Sequence, residues 1–188
     1  GSDTGTLTLQ LKETDGDDIS LASIDVTFTV SSGIATFSNN LTSYATTTNA
    51  SGLASATVKS AVAGAINVTA TIDRDEDGGT SPEEAVSNGA PASVSFVPGP
   101  VSAANTTLSV SPTSVTADGT STSTITVQAK DALGNNLTSS GGTVILAEDS
   151  ITAALSSVTD NNNGTYTATI TNTVAEDVVI SGTIDSNT

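Results

Sequence analysis

Apolar and polar residues alternate with a period of two along most of the chain. In the first half Leu7, Leu9 and Leu11 alternate with polar neighbours, as do Val26, Phe28 and Val30, and then Ala54, Ala56 and Val58. The run Ile66, Val68, Ala70, Ile72 follows, and after it Val94 and Phe96. The second half continues with Leu108 and Val110; Ile125, Val127 and Ala129; Val144 and Leu146; Tyr166, Ala168 and Ile170; and Val178 and Ile180. Successive side chains on a strand point to opposite faces, so each run predicts a short strand with one buried face. Turn formers separate the runs: Asp15-Gly16, Ser32-Gly33, Ser51-Gly52, Asp118-Gly119, Gly134-Asn135, Gly141-Gly142 and Asn163-Gly164. No stretch longer than a couple of turns has helical spacing. The pattern predicts an all-β fold in which two sheets pack face to face.

The pattern also repeats. Residues 6–14, TLTLQLKET, followed by Asp15-Gly16, parallel residues 124–131, TITVQAKD, followed by Leu133-Gly134-Asn135. A Val-containing strand comes next in both copies, at 26–30 and at 144–146. Residues 46–72 then align with 156–184, each with an Asn-bearing turn ending in Gly, an alternating strand, a break and a final strand closing on Ile72 or Ile184. A repeat of this length predicts two modules, 3–98 and 106–188, joined by a linker at 99–105. Modules of that size fold alone. Pro98-Gly99-Pro100 is the expected hinge, because proline stiffens a joint while removing backbone donors. The opening of the second copy, LSVSPTSVTADG at 108–119, has no counterpart in the first, and 90–98 of the first has none in the second. One module is therefore expected without an opening strand and the other without a closing strand; the alternative is that short edge residues or a divergent first module cover the gap. The chain is expected to be a monomer, with end-to-end strand pairing through those edges as its route to association. Gly1-Ser2 reads as a cloning scar on a piece of something longer.

Composition narrows the core and the chemistry. Only 3% of the residues are aromatic, so the core must be built from Val, Ile, Leu and Ala around Phe28, Phe37, Phe96, Tyr44 and Tyr166. Twenty acidic residues against four basic ones give a net charge of −16. Such a polyanion cannot displace counterions from nucleic acid, and anionic membrane surfaces repel it. No apolar run approaches the length of a membrane span, so no membrane insertion is expected. Cys, His, Met and Trp are absent, which removes the Ser-His-Asp triad, the Cys-His pair and any His/Cys zinc site. The glutamates Glu13, Glu76, Glu83, Glu84, Glu148 and Glu176 fall mostly in predicted turns, with no Trp to stack a sugar. The chain is not expected to be an enzyme.

The sharpest chemical motif is the acidic segment 73–84, DRDEDGGTSPEE. It carries the oxygen spacing of a calcium loop. Asp73, Asp75 and Asp77 offer carboxylates at alternate positions, Gly79 a carbonyl, and Glu84 a closing bidentate carboxylate. The flanks read as strands and Pro82 restricts the path, so a loop on a β framework is expected to hold a structural Ca²⁺, not an EF-hand. A solvated acidic loop is the competing reading. Asp15-Gly16-Asp17-Asp18, Asp118-Gly119, Asp131 with Asn135, and Asp160 to Gly164 read as tight turns. Lys12, Lys59 and Lys130 read as strand-edge charges, with a Lys–Asn cross-link as the alternative.

The stretch TTLSVSPTSVTADGTSTSTITVQAKDALGNNL at 106–137, with DNNNGTYTATIT at 160–171, resembles the bacterial immunoglobulin-like domains repeated in invasin- and intimin-type surface adhesins. The first copy carries the matching TTTNASGLASATVKSAVAGAINVTA at 46–70. The resemblance covers nearly the whole chain. It implies two tandem immunoglobulin-like β-sandwich modules at the bacterial cell surface or secreted. Their implied role is a structural stalk that projects a distal adhesive domain, with adjacent modules of the same chain as partners. The alternative is that the pair itself binds a host surface protein or glycan.

Overall fold

The structure is a computed structural model that describes residues 3–13, 15–73, 86–87 and 91–185. The chain divides into two compact units, Gly1–Val97 and Pro98–Thr188. No described residue is helical.

Unit 1 contains β1 (Asp3–Gln10), β2 (Asp25–Ser32), β3 (Thr36–Phe37), β4 (Ser43–Thr47), β5 (Leu53–Ser60), β6 (Gly64–Asp73), β7 (Val86–Ser87) and β8 (Ala92–Phe96). One sheet runs β1-β5-β3; the other runs β4-β2-β6-β7, with β8 also paired to β6. Alternation sets what each sheet buries: along β5, Ala54, Ala56 and Val58 are buried while Ser55 and Thr57 face solvent. These small residues meet Val26, Phe28, Ile66, Val68 and Ala70 of the second sheet in one core. Phe37 and Val58 are wholly buried, and Phe37 lies 6.0 Å from the Tyr44 ring between centroids. With so few aromatics, Phe37 carries an unusually large share of the apolar surface removed from water.

Unit 2 contains β9 (Thr107–Ser111), β10 (Ser123–Gln128), β11 (Thr143–Glu148), β12 (Ala153–Leu155), β13 (Thr159–Asp160), β14 (Thr165–Asn172) and β15 (Ile180–Asp185). Its sheets are β12-β14-β10-β9, with β13 on β14, and the pair β11-β15. Val127, Ala129, Leu137, Val144, Tyr166 and Ile184 form one end of the core, and Ile125, Ala168 and Ile170 the other. Tyr166 is buried to 2% exposure, and its hydroxyl is fully used. It accepts the N–H groups of Gly141 (2.8 Å) and Gly142 (3.1 Å) and donates to the Gly142 carbonyl (2.9 Å). A buried phenol needs such partners.

The two units repeat at the level of strand register. Leu7 faces Ala56 across β1 and β5, and Ile125 faces Ala168 across β10 and β14. Val26 faces Ile72 across β2 and β6, and Val144 faces Ile184 across β11 and β15. Adding 118 carries Leu7 to Ile125 and Val26 to Val144; adding 112 carries Ala56 to Ala168 and Ile72 to Ile184. The same frame is built twice. The shorter second offset comes from the connection between the second and third of these strands, where unit 1 places β3 and β4 and unit 2 places β12 and β13. Those short strands carry little alternation, and the apolar pattern alone did not mark them.

Among the described residues the two units differ at opposite edges. In unit 2, β9 covers β10 with Val110 opposite Ile125 and Leu108 opposite Val127. Among the described residues β1 pairs only with β5. In unit 1, β8 covers β6, whereas among the described residues β15 pairs only with β11.

Phe37→Ala is expected to destabilise unit 1 by about 3–5 kcal/mol, the range for emptying a buried aromatic site, and to leave unit 2 unchanged. Chemical denaturation followed by residue-resolved NMR checks both halves of that statement. Tyr166→Phe strands the buried N–H and carbonyl of Gly142 and the half-buried N–H of Gly141, and is expected to cost unit 2 about 1–3 kcal/mol, read from the same denaturation curves.

Candidate functional site

The acidic segment is described only at its first residue. Asp73 closes β6 and stands opposite Asp25 of β2 in the ladder. Asp75, Asp77, Gly79 and Glu84, the rest of the expected ligand set, lie outside the described residues. Among the described residues no three acidic side chains are grouped to hold a metal. The remaining acidic turns are held by hydrogen bonds within the turn. Asp15 Oδ1 accepts from Asp17 N (3.3 Å), and Asp160 Oδ1 from Asn162 N (2.8 Å). Asp118 accepts the N–H of Ser121 (2.6 Å) and of Thr120 (2.8 Å) and the Ser121 hydroxyl (2.9 Å). The Ser121 and Thr120 N–H groups hold that carboxyl well below the usual range. Lys12 pairs with Asp18 at 2.6 Å on the surface, and Lys59 donates to Asn40 Oδ1 at 2.7 Å. Exposed contacts of this kind contribute little to stability.

The polar chemistry concentrates instead in a hairpin that follows the first long strand of each frame. Gln10 ends β1, and its side-chain amide donates to the carbonyls of Leu11 (3.0 Å), Ser51 (3.2 Å) and Ile19 (3.3 Å). Gln128 ends β10, and its amide donates to the carbonyls of Ala129 (3.0 Å) and Gly164 (3.1 Å). The Leu11 N–H donates to the Gly52 carbonyl, and the Ala129 N–H to that of Gly164. Each hairpin then closes identically: Ile19 N–H onto Leu11 and Asp17 carbonyl onto Glu13 N–H in unit 1, Leu137 N–H onto Ala129 and Asn135 carbonyl onto Asp131 N–H in unit 2.

Asp131 sets the second hairpin apart. It is 3% exposed, a rare position for a carboxylate unless its oxygens are satisfied. Oδ1 accepts from the N–H groups of Leu133 and Asn135, both at 2.9 Å. Oδ2 accepts from the Asn135 side-chain amide (2.9 Å) and from the N–H of Gly99 (3.0 Å). Burial pushes this carboxyl's pKa up, but the Asn135 amide and the Gly99, Asn135 and Leu133 N–H groups outweigh it and hold the value down at about 2.

This arrangement changes the reading of residues 99–105, which the sequence marks as a linker. They are hydrogen-bonded to unit 2 instead. Ser102 N–H donates to the Lys130 carbonyl at 2.7 Å, Val101 bridges to Asp131, and the Asn105 amide donates to the Asp131 carbonyl at 3.0 Å. The physical reason is the buried carboxylate, which needs donors from whatever chain passes over it. Within Pro98-Gly99-Pro100 only Gly99 has an N–H, and Asp131 takes it. The Asp131–Asn135 turn is legible in the sequence, but the bond to Gly99 is not. An acidic residue at the next alternate position after the apolar Val127 and Ala129 was the available signal.

Asp131 titrates near 3.8 when unfolded and near 2 when folded, so the unfolded chain takes up the proton first as pH falls. The stabilisation it gives is complete above the unfolded value and is lost as pH drops through about 2. Asp131→Asn is expected to lower the melting temperature of unit 2 at neutral pH, because an amide NH₂ must replace an acceptor facing donors. It is also expected to flatten the acid side of the unit 2 stability profile. Thermal melts from neutral to strongly acidic pH check this, with unit 1 as the internal control.

Comparison with known proteins places both units. Residues 1–87 match the family model of the bacterial Ig-like domain (group 1), and residues 102–188 match that of invasin, domain 3. The chain is similar to Yersinia pseudotuberculosis InvD, with 27% identity and a TM-score of 0.57 over 99% of this chain and 50% of that one. It is also similar to invasin, described as a bacterial integrin-binding protein, at 27% identity and a TM-score of 0.42 over 96% of this chain and 32% of that one. The Escherichia coli adhesin FdeC matches at 23% identity and a TM-score of 0.48, over 98% of this chain and 56% of that one. The chain thus spans about a third to a little over half of the length of these structures. On the two family matches and the register shared by the two units, residues 1–87 belong to the bacterial Ig-like domains and residues 102–188 to the invasin domain 3 family, so that the chain is a tandem pair of adhesin-type immunoglobulin-like domains.

Proposed function

We propose that this pair is a structural extender of a bacterial surface or secreted adhesin, carrying a distal adhesive domain away from the cell. The observation that supports it most is the repeated frame, in which corresponding strands keep their registers under two constant offsets. Polar side chains at the hairpins are spent on backbone carbonyls and N–H groups of the module itself, as at Gln10, Gln128 and Asp131. The net charge of −16 lets neighbouring stalks repel one another and stay apart. In this reading the partners are further modules of the same polypeptide.

The same proposal gives the acidic segment a structural Ca²⁺, held by Asp73, Asp75 and Asp77, the Gly79 carbonyl and Glu84. Support comes from the ligand spacing and from Asp25, which stands directly opposite Asp73.

Two measurements test the proposal. Labelled chain applied to host cells and to a glycan array is expected to show no saturable binding; saturable binding would make the pair itself the adhesive domain. A calorimetric melt with excess Ca²⁺ and again with chelator is expected to move unit 1 alone. At a hundredfold excess over the dissociation constant the stabilisation is about 2.7 kcal/mol, which raises the melting temperature of a domain this size by about ten degrees or more. A melt that ignores Ca²⁺ would leave the segment a solvated acidic loop.

A further inference from the structure

The chain carries Asn-Gly pairs at 88–89 and at 163–164. The first lies outside the described residues; the second opens β14 and brings Gly164 against the Leu137 carbonyl. Glycine after asparagine leaves its own nitrogen unshielded, because no side chain stands beside it. That nitrogen can reach the asparagine side-chain carbon, so the pair is a chemical weak point unless the fold keeps the two groups apart. Here the turn holds them together.

Asn163 Oδ1 accepts the Thr165 N–H at 3.0 Å and the Thr165 hydroxyl at 2.6 Å. The first bond closes a ring through side chain and backbone that contains both Asn163 Cγ and Gly164 N, so nucleophile and target face each other across one turn. The second bond is reinforced from behind, since the Asn161 amide donates to Thr165 Oγ1 at 3.0 Å. Both donors draw electron density from the side-chain carbonyl and stabilise negative charge that develops on Oδ1. The nucleophile is also free. In unit 1 the corresponding Gly52 N–H donates to the Asn49 carbonyl at 2.9 Å, whereas among the described residues the Gly164 N–H has no hydrogen-bond partner. Water has access, because Asn161, Asn162 and Asn163 are exposed. Unit 1 lacks the electrophile altogether: the offset of 112 relates Asn163 to Ser51.

We propose that Asn163 is a site of spontaneous deamidation that limits the lifetime of unit 2. The Gly164 nitrogen gives its proton to water and bonds to Asn163 Cγ. The Cγ–Nδ2 bond then breaks, and the side-chain nitrogen takes up a proton and leaves as ammonia. Water adds to the resulting cyclic imide and opens it at either carbonyl, to an aspartyl or an isoaspartyl residue. The balance is a water consumed and an ammonia released, with no change of oxidation state. The isoaspartyl link adds a carbon to the main chain immediately before Gly164 and shifts that glycine off its contact with Leu137. The bonds from the Ala129 N–H and the Gln128 amide to the Gly164 carbonyl are lost with it.

The test incubates the intact chain and a peptide of residues 160–167, DNNNGTYT, side by side at neutral pH. Peptide mapping with isoaspartyl-specific methyltransferase labelling follows Asn163 in both. Asn163 is expected to convert in the folded chain ahead of Asn161, Asn162, Asn135 and Asn136, and no more slowly than in the peptide. Thr165→Val removes the hydroxyl donor and keeps the N–H. It is expected to slow conversion about fivefold, the rate equivalent of one hydrogen bond, with the melting temperature of unit 2 showing that the variant folds. Amide exchange on the aged chain is expected to show protection lost at Ala129 and Leu137 and kept at Leu11 and Ile19. Asn163→Ser, which installs the unit 1 residue, is expected to keep protection at all four through the same incubation. An Asn163 that survives in the folded chain after the peptide has converted overturns the proposal. So does an isoaspartyl product that leaves Ala129 and Leu137 protected.

Discussion

Both units depend on one close approach of backbone to backbone. Gly52 and Gly164 sit at the tight turn before β5 and β14 with φ of +73° and +83°. A methyl group at either position would run into the carbonyl oxygen of Ile19 or Leu137 on the facing hairpin. Only glycine permits both the positive φ and the approach. From that contact the rest follows. The carbonyl of each glycine receives the N–H of Leu11 or Ala129, and Gln10 or Gln128 ties the neighbouring carbonyls together. The hairpin is thereby fixed to the turn that opens the neighbouring strand, β5 or β14, and the paired strands are held in register. The 118 and 112 offsets relate these residues as well: Gln10 to Gln128, Ile19 to Leu137, Gly52 to Gly164.

Given this frame, each unit closes its core with what its composition supplies. Unit 1 uses Phe37 and stacks Tyr44 beside it; unit 2 places Tyr166 where unit 1 has Ala54 and secures its hydroxyl on the Gly141–Gly142 backbone. The same frame thus accepts a large aromatic or an alanine at one position, provided another residue fills the volume. The acidic residue after the elbow varies in a similar way. Glu13 is exposed, while Asp131 is buried and takes the N–H of Gly99. A shared backbone lattice with locally different fillings suits a module meant to be repeated, because neighbours can diverge without losing the fold.

Much of this was legible in the sequence, for physical reasons that can be named. The alternating runs around Leu7, Val26, Ala56, Ile66, Ile125 and Ala168 each became a strand, because one-sided burial in a sandwich imposes a period of two. The repeat was legible because each copy carries the same alternating strand ending in glutamine, Gln10 or Gln128, and later an Asn-bearing turn ending in glycine, Gly52 or Gly164. The short strands β3, β4, β12 and β13 were not, since two to five residues with mixed burial leave no periodic signal. The role of Asp131 was hidden for a different reason. Its turn partners are two to four residues away, but Gly99 is 32 residues distant, and only the folded chain brings that N–H to the carboxylate.

Native-state amide exchange on Gly52→Ala and Gly164→Ala, compared with the parent chain, tests the elbow most directly. Gly52→Ala should expose the amides of Leu11 and Ile19 and leave those of Ala129 and Leu137 protected; Gly164→Ala should do the reverse. Retained protection at Leu11 and Ile19 in Gly52→Ala, or loss spread equally over both units, would contradict the account of one frame built twice on the same contact.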